Sequence, residues 1–386
     1  MTDDVTIPAV FRLGFRPFYL AASVFAALSI VLWAAQYSGW LRAPLIGGPL
    51  AHAHEMLYGY TFAVVAGFLF TAVRNWSGRP TPRGGLLAGI VAIWVAARVL
   101  AFTPFSVATI CANVAFLLAV AGGIAVPLVQ SGNRRNYFFV AIVAAAAIAE
   151  ALTQLGSIGA LAFPAMRGLQ IGFDLVILII TIVTGRVIPM FTNNAIPQAG
   201  ARRLPILEKV SIAIVLLVLA ADLAGLSGAP LAGVLAFAAA VHSTRLGLWR
   251  PWRTLHAPLV WSLDLAYVWL PIHFALRAAA ELGRAPLSLA IHALTVGAIG
   301  GLTLAMMTRT ARGHTGLPLR ADGADVIAYV LVFGAALLRV FGPLVAPPLQ
   351  IGWIAVSALL WASAFGLYFI AYWPRLTMPR RDGKPG

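Results

Sequence analysis

The side chains best suited to chemistry are seven histidines. Two of them stand together in "LAHAHEMLYGY", residues 50–60, where His52 and His54 precede Glu55 at the mouth of an apolar run. Neutral imidazole ligates haem iron and copper, and a polar group at membrane depth is usually paired or functional. His52 and His54 lie about 200° apart around a regular helix, so both face one metal only if the helix begins between them. His54 and Tyr58 share a face, as do His52 and Met56. One division has His54 as an axial ligand with Tyr58 on its face, and His52 serving a second metal near the surface. Glu55 either partners a histidine or accepts a proton; hydrogen bonding in the first helical turn, where the dipole favours a carboxylate, explains it equally well. His273 and His292 are two further candidates. Arg277, four residues beyond His273, suits a bidentate clamp on a propionate, or an interfacial arginine reaching for water.

These residues are carried by long apolar elements. The chain has 386 residues, 61% hydrophobic and only 10% charged, with mean hydropathy +0.90. Soluble domains carry roughly a quarter charged residues. The composition predicts an all-α, polytopic helical bundle forming one transmembrane domain over residues 1–386. A span needs about 20 apolar residues, and about twelve candidates emerge: 18–38, 52–73, 85–103, 107–129, 136–156, 168–190, 206–224, 229–246, 259–280, 287–308, 323–341 and 349–373. The net charge of +15 sits in the punctuation between these runs. That pattern orients helices in a bilayer and argues against nucleic acid as a partner. One set of loops holds Arg12, Arg16, Arg74, Arg79, Arg83, Arg134, Arg135, Arg202, Arg203, Lys209, Arg245, Arg250, Arg253, Arg309, Arg312, Arg320, Arg375, Arg380, Arg381 and Lys384. The alternate set holds Arg42, Arg98, Arg167, Arg284 and Arg339, with Arg277 near a helix end. Both termini are therefore expected in the cytoplasm. The start, "MTDDVTIPAVFRLGFRPF", has no signal-peptide pattern, so the first helix is expected to direct insertion. The threading sets His52, His54, His273 and His292 at one outer level, and His242, His256 and His314 at cytoplasmic ends or loops. Glu150 and Asp174 fall in outer halves, as possible histidine partners or proton carriers. The single cysteine, Cys111, excludes intrachain disulfides, thiolate zinc sites, iron–sulfur clusters and Cys-x-x-Cys-His haem attachment.

"FRLGFRPFYL" at 11–20, "HAHEMLYGY" at 52–60, "GRVIPMFT" at 185–192 and "HALTVGAIGGLTLAMMTRTARGHTG" at 292–316 resemble the signatures of the NnrS family. The resemblance runs over nearly the whole chain. It implies a multi-pass protein of the bacterial inner membrane that binds haem b and copper and acts in nitric oxide metabolism or protection from nitrosative stress, in organisms with denitrification or nitric oxide responses. Carried over by motif, the residues to watch are His52, His54, Glu55, His292 and His314. A looser likeness is to the main subunit of haem–copper oxidases, where histidines on spans 2 and 10 hold a low-spin haem. Spans 6 and 7 contain no histidine here, so the copper triad of a dioxygen-reducing centre is absent. The ends of spans 2, 6 and 10 are alike, a faint sign of a four-span repeat.

The expectation combines these readings. His54 and His292 ligate haem on facing helices, with Tyr58 and Arg277 beside the cofactor. His52 and His273 lie near copper, and His314 is a further metal candidate. If the protein is catalytic, nitric oxide is reduced with electrons from quinol or another donor, and Glu55 carries a proton. A secondary transporter of a metal or small anion is one alternative. A non-catalytic nitric oxide sensor is another.

Overall fold

The structure, a computed structural model, describes residues 7–42, 47–104 and 106–380. Arg381 and Lys384 of the basic tail lie outside the described residues. Among the described residues there are helices and no strands. This is the economical solution for an apolar chain in lipid, because a helix satisfies its backbone polar groups internally.

Each expected span coincides with a helix. They are α1 (Phe15–Tyr37), α2 (Pro49–Ser77), α3 (Gly84–Leu100), α4 (Ser106–Gln130), α5 (Tyr137–Ser157) and α6 (Ala165–Ala195). Then come α7 (Pro205–Ala224), α8 (Gly228–Trp249), α9 (Pro258–Glu281), α10 (Leu287–Thr315), α11 (Gly323–Val345) and α12 (Gln350–Thr377). Among the described residues ten helices are long and apolar enough to cross a membrane, so the protein is a multi-pass helical membrane protein. Of the two helices outside that set, α3 has only 17 residues, and α7 carries Glu208, Lys209 and Asp222 in an otherwise apolar stretch. Local chemistry sets the ends. Proline stands in the first turn of α2, α7 and α9, where its missing N–H costs nothing. Gly78 and Gly225 close α2 and α7 in the left-handed conformation. Asp322 and Asp325 form a reciprocal cap on α11.

The helices divide into two compact units. Unit 1 comprises residues 1–175, 309–318 and 366–386; unit 2 comprises 176–308 and 319–365. Within unit 1, α1 packs on α2, α3 on α4, and α4 on α5. Within unit 2, α8 lies between α7 and α9, and α9 packs along the first half of α10.

Two helices depart from regular α geometry, and at corresponding places. In α2 the turns Glu55–Thr61 are π-helical, beginning one residue after His54. In α10 the turns Ala293–Gly300 are π-helical, beginning one residue after His292. Such wide turns free backbone carbonyls and occur often at functional sites. In α2 the freed groups find partners: Thr61 Oγ1 donates to the Met56 carbonyl at 2.8 Å, and Trp94 Nε1 donates to the Gly59 carbonyl at 2.8 Å.

Several arginines expected to orient loops are instead internal. Arg16, Arg98, Arg245 and Arg277 are all buried within helices. The helix α10 also runs further than expected, through Thr315. His314 therefore stands in its last turn rather than in a loop. The extension holds because Ala311 is fully buried and Arg312 Nε donates to the Tyr372 hydroxyl at 3.1 Å.

Candidate functional site

In unit 1 the first turn of α2 opens onto a cavity of about 420 Å³. His52, His54, Glu55 and Met56 line it, with Ser29 and Gln154 among the opposing residues. The two histidines do separate, as their spacing requires. His52 is half-buried and lies flat on Trp33 of α1, with ring centroids 4.7 Å apart and planes 5° from parallel. Met56, one turn on, has its sulfur 3.6 Å from Ser29 Oγ.

His54 is buried and held between two carboxylates. Its Nδ1 lies 3.0 Å from Glu55 Oε1, and its Nε2 lies 2.8 and 2.9 Å from the two oxygens of Glu150 on α5. A neutral imidazole has one N–H, so only the imidazolium satisfies both carboxylates as a donor. The Glu55 carboxylate is closed from the other side by Arg98 of α3, whose Nη1 donates to Oε2 at 2.6 Å. Arg98 Nη2 donates to Asn113 Oδ1, and Gln154 Nε2 donates to Glu150 Oε1. Gly59 leaves the space this network needs: a Cβ there would strike Arg98 Nη1 and the Phe25 ring. Tyr58 is buried beside His54, ring centroids 5.3 Å apart, and stacks on Phe62.

Unit 2 holds His273 and His292. His273 on α9 is buried, with its Nδ1 2.8 Å from the Ala290 carbonyl of α10. The carbonyl is an acceptor, so Nδ1 carries the proton and Nε2 the lone pair. That Nε2 is buried and has no partner. His292 stands two residues beyond Ala290, its Nδ1 2.6 Å from the Ser288 carbonyl. Both rings thus have the anchored tautomer that metal-ligating imidazoles adopt. Gly297 and Gly301 let α9 and α11 close on the π-helical turns: a Cβ at Gly297 would overlap Trp269, and one at Gly301 would meet Phe333 and Ala266. Arg277, one turn from His273, is ion-paired with Asp222 of α7 at 2.5 Å.

The expected residues are therefore sorted by unit. His52, His54, Glu55 and Tyr58 stand together in unit 1. His273, His292 and Arg277 belong to unit 2. His314 lies in unit 1 against Phe15, ring centroids 5.7 Å apart. The charges bearing on its ring are those of Arg16, Arg74 and Arg380, surroundings that repel a metal cation. Among the described residues no group of three or more His, Cys, Asp or Glu side chains is arranged to hold a metal ion.

Sequence reasoning missed Arg98, Asn113 and Gln154, which complete the His54 network. Arg98 reads as a loop charge by its sign, although its place inside the run 85–103 signals an internal role. His242, expected at a cytoplasmic helix end, is instead internal. His242 is fully buried, its Nδ1 2.5 Å from the Tyr267 hydroxyl, and Arg245 joins that hydroxyl to Glu208.

The donor sets differ in how they suit haem and copper. An imidazole with a thioether one turn away, as at His52 and Met56 on the cavity wall, suits copper. The orphaned Nε2 of His273 suits haem iron. His54 does not fit either role as it stands, because both ring nitrogens are committed to carboxylates.

A family model described as NnrS, NnrS protein, matches residues 9–380. No curated protein matches the chain.

Proposed function

The chain belongs to the NnrS family, and from that premise we propose that it acts in nitric oxide metabolism or protection from nitrosative stress as a haem- and copper-binding protein of the bacterial inner membrane. In this reading α3 and α7 also cross the bilayer, giving about twelve crossings with both termini cytoplasmic. The histidine-bearing turns of α2 and α10 then face the periplasmic side. The observation that carries the reading is the His273 imidazole, buried with Nδ1 anchored on Ala290 and Nε2 unpartnered.

His273 and His292 would hold haem b, and His52 with Met56 would hold copper. Bound there, the metals would supply a site for nitric oxide and for electron transfer from quinol or another donor. The chain's own contribution is to position and to handle protons. The Ala290 and Ser288 carbonyls orient the two unit 2 imidazoles. Trp33 fixes the His52 ring at the cavity wall. Glu55 and Glu150 face Nδ1 and Nε2 of His54 beside that cavity, and Arg98 holds Glu55 in place. Glu55 is thus the proton carrier of this reading, and Tyr58 shields the His54 pair from the surrounding helices.

The test is metal and haem analysis of purified protein together with growth of a null strain under nitric oxide. The expected result is bound haem and copper, with growth restored by the wild type and not by His273→Ala. Metal-free protein that restores growth would overturn the reading. A secondary transporter is the second reading, favoured by a cavity opening beside an interrupted helix. Uptake of a metal or small anion by cofactor-free proteoliposomes would select it.

A further inference from the structure

At the far end of unit 1 from the His54 cavity, a different arrangement calls for a ligand. Trp33, which meets His52, lies near one end of α1. Arg16 lies in the first turn at the other end, about 25 Å away at 1.5 Å per residue. Arg16 is fully buried. Its Nη1 donates to the carbonyls of Leu376 at 2.9 Å and Met378 at 2.8 Å, at the C-terminal end of α12. Those carbonyls carry the negative end of the helix dipole and fix the guanidinium in one orientation. Its Nε and Nη2 have no partner.

The two unpartnered groups are neighbours on the guanidinium. Nε–H and Nη2–H form its side edge, a parallel pair of donors spaced to grip two oxygens of one anion. Among the described residues, the charges that bear on this group and its neighbour His314 are positive. Arg12 and Arg380 bear on Arg16, and Arg74 and Arg380 bear with Arg16 on the His314 ring. Arg380 Nη1 donates to the His314 carbonyl at 3.2 Å, which ties the end of the chain's described part into the cluster. Among the described residues no carboxylate forms an ion pair with Arg12, Arg16 or Arg74. The first turn of α1 has no side-chain cap, so its positive dipole end adds to the same field. Buried guanidinium N–H groups left without a partner are costly, and a bound anion removes the cost.

We propose that Arg16, with Arg12, Arg74, Arg380 and the start of α1, forms a seat for a phosphate-class oxyanion, either inorganic phosphate or the phosphate of a lipid headgroup. The seat explains why "FRLGFRPF" sets two arginines around the start of a membrane helix, and why His314 stands among guanidiniums. It is independent of the haem and copper reading, which rests on other residues.

Two arms distinguish the sources. Full-length protein in phosphatidylcholine nanodiscs is titrated with inorganic phosphate at constant ionic strength, following the unfolding midpoint. In parallel, protein exchanged into discs containing phosphatidylglycerol is examined by native mass spectrometry for retained anionic lipid. A free-anion seat gives a saturable rise in midpoint in the first arm; a headgroup seat gives retained phosphatidylglycerol in the second. Arg16→Lys keeps the charge and loses the fork, and should weaken either signal at least tenfold, while the exposed Arg135→Lys should not change it. If Arg16→Lys fails to fold, Arg12→Gln and Arg74→Gln should each weaken the signal several-fold. Wild-type protein silent in both arms would overturn the proposal, as would binding undiminished in a folded Arg16→Lys protein.

Discussion

His54 shows how a residue chosen for one chemistry can be occupied by another. Its ring is clasped by Glu55 and Glu150, and Arg98 balances Glu55 from the opposite side. Opposite charges in a dry interior are strongly coupled, so removing one strands the rest. Arg98→Gln should therefore lower stability by about 3–5 kcal/mol, the range for breaking a buried ion pair. Unfolding in detergent, followed by helicity, would measure it; a loss below about 1 kcal/mol, the range of exposed pairs, would show the network is not held this way. A packing change tests the same contact. Gly59→Ala places a methyl group against Arg98 Nη1 and Phe25, and overpacking of that kind costs about 1–3 kcal/mol. The variant should lose stability without any change of charge, and Gly85→Ala, where a Cβ meets nothing, should not.

The elements were legible because their signal is coarse. Apolar runs bounded by Arg, Gly and Pro mark α1 to α12, and each lies where hydropathy expected it. The π-helical turns were not legible. A wide turn has no hydrophobic period of its own, and it forms where tertiary contacts take up the freed carbonyls, as Trp94 does for Gly59. Pairings across distant helices were hidden for a related reason. Asp222 and Arg277 pair across 55 positions, and nothing local in the sequence joins residues so far apart. Glu150, an acid within an apolar run, signals a histidine partner, while Arg98 is masked by the charges of the loops around it. The hydroxyl that closes the α2 turn can be tested. Thr61→Val leaves the Met56 carbonyl without its 2.8 Å donor and should cost about 1 kcal/mol. Hydrogen exchange should then quicken within residues 55–61 and stay unchanged in 293–300, the corresponding turns of the other unit. Equal quickening in both would mean the π-helical turns do not depend on their local partners.

For the molecule as a whole, the proposed direction across the bilayer rests on the distribution of basic residues. Burial takes Arg98 and Arg277 out of the sparse set and Arg16, Arg245 and Arg312 out of the rich one, and the rich set still holds most of the remaining basic residues. In a Cys111→Ser background, Arg42→Cys should react with an impermeant maleimide added to intact spheroplasts, and Arg135→Cys only after lysis. The reverse pattern would invert the chain and turn the histidine-bearing turns toward the cytoplasm. The central claim is that haem is held in unit 2, by His273 and His292, and not by the carboxylate-bound His54. The most direct measurement is the reduced-minus-oxidised spectrum of purified protein, with and without nitric oxide, in wild type, His273→Ala and His54→Gln. The account predicts a Soret band shifted by nitric oxide, absent in His273→Ala and retained in folded His54→Gln. A band that survives in His273→Ala and disappears in folded His54→Gln would contradict it.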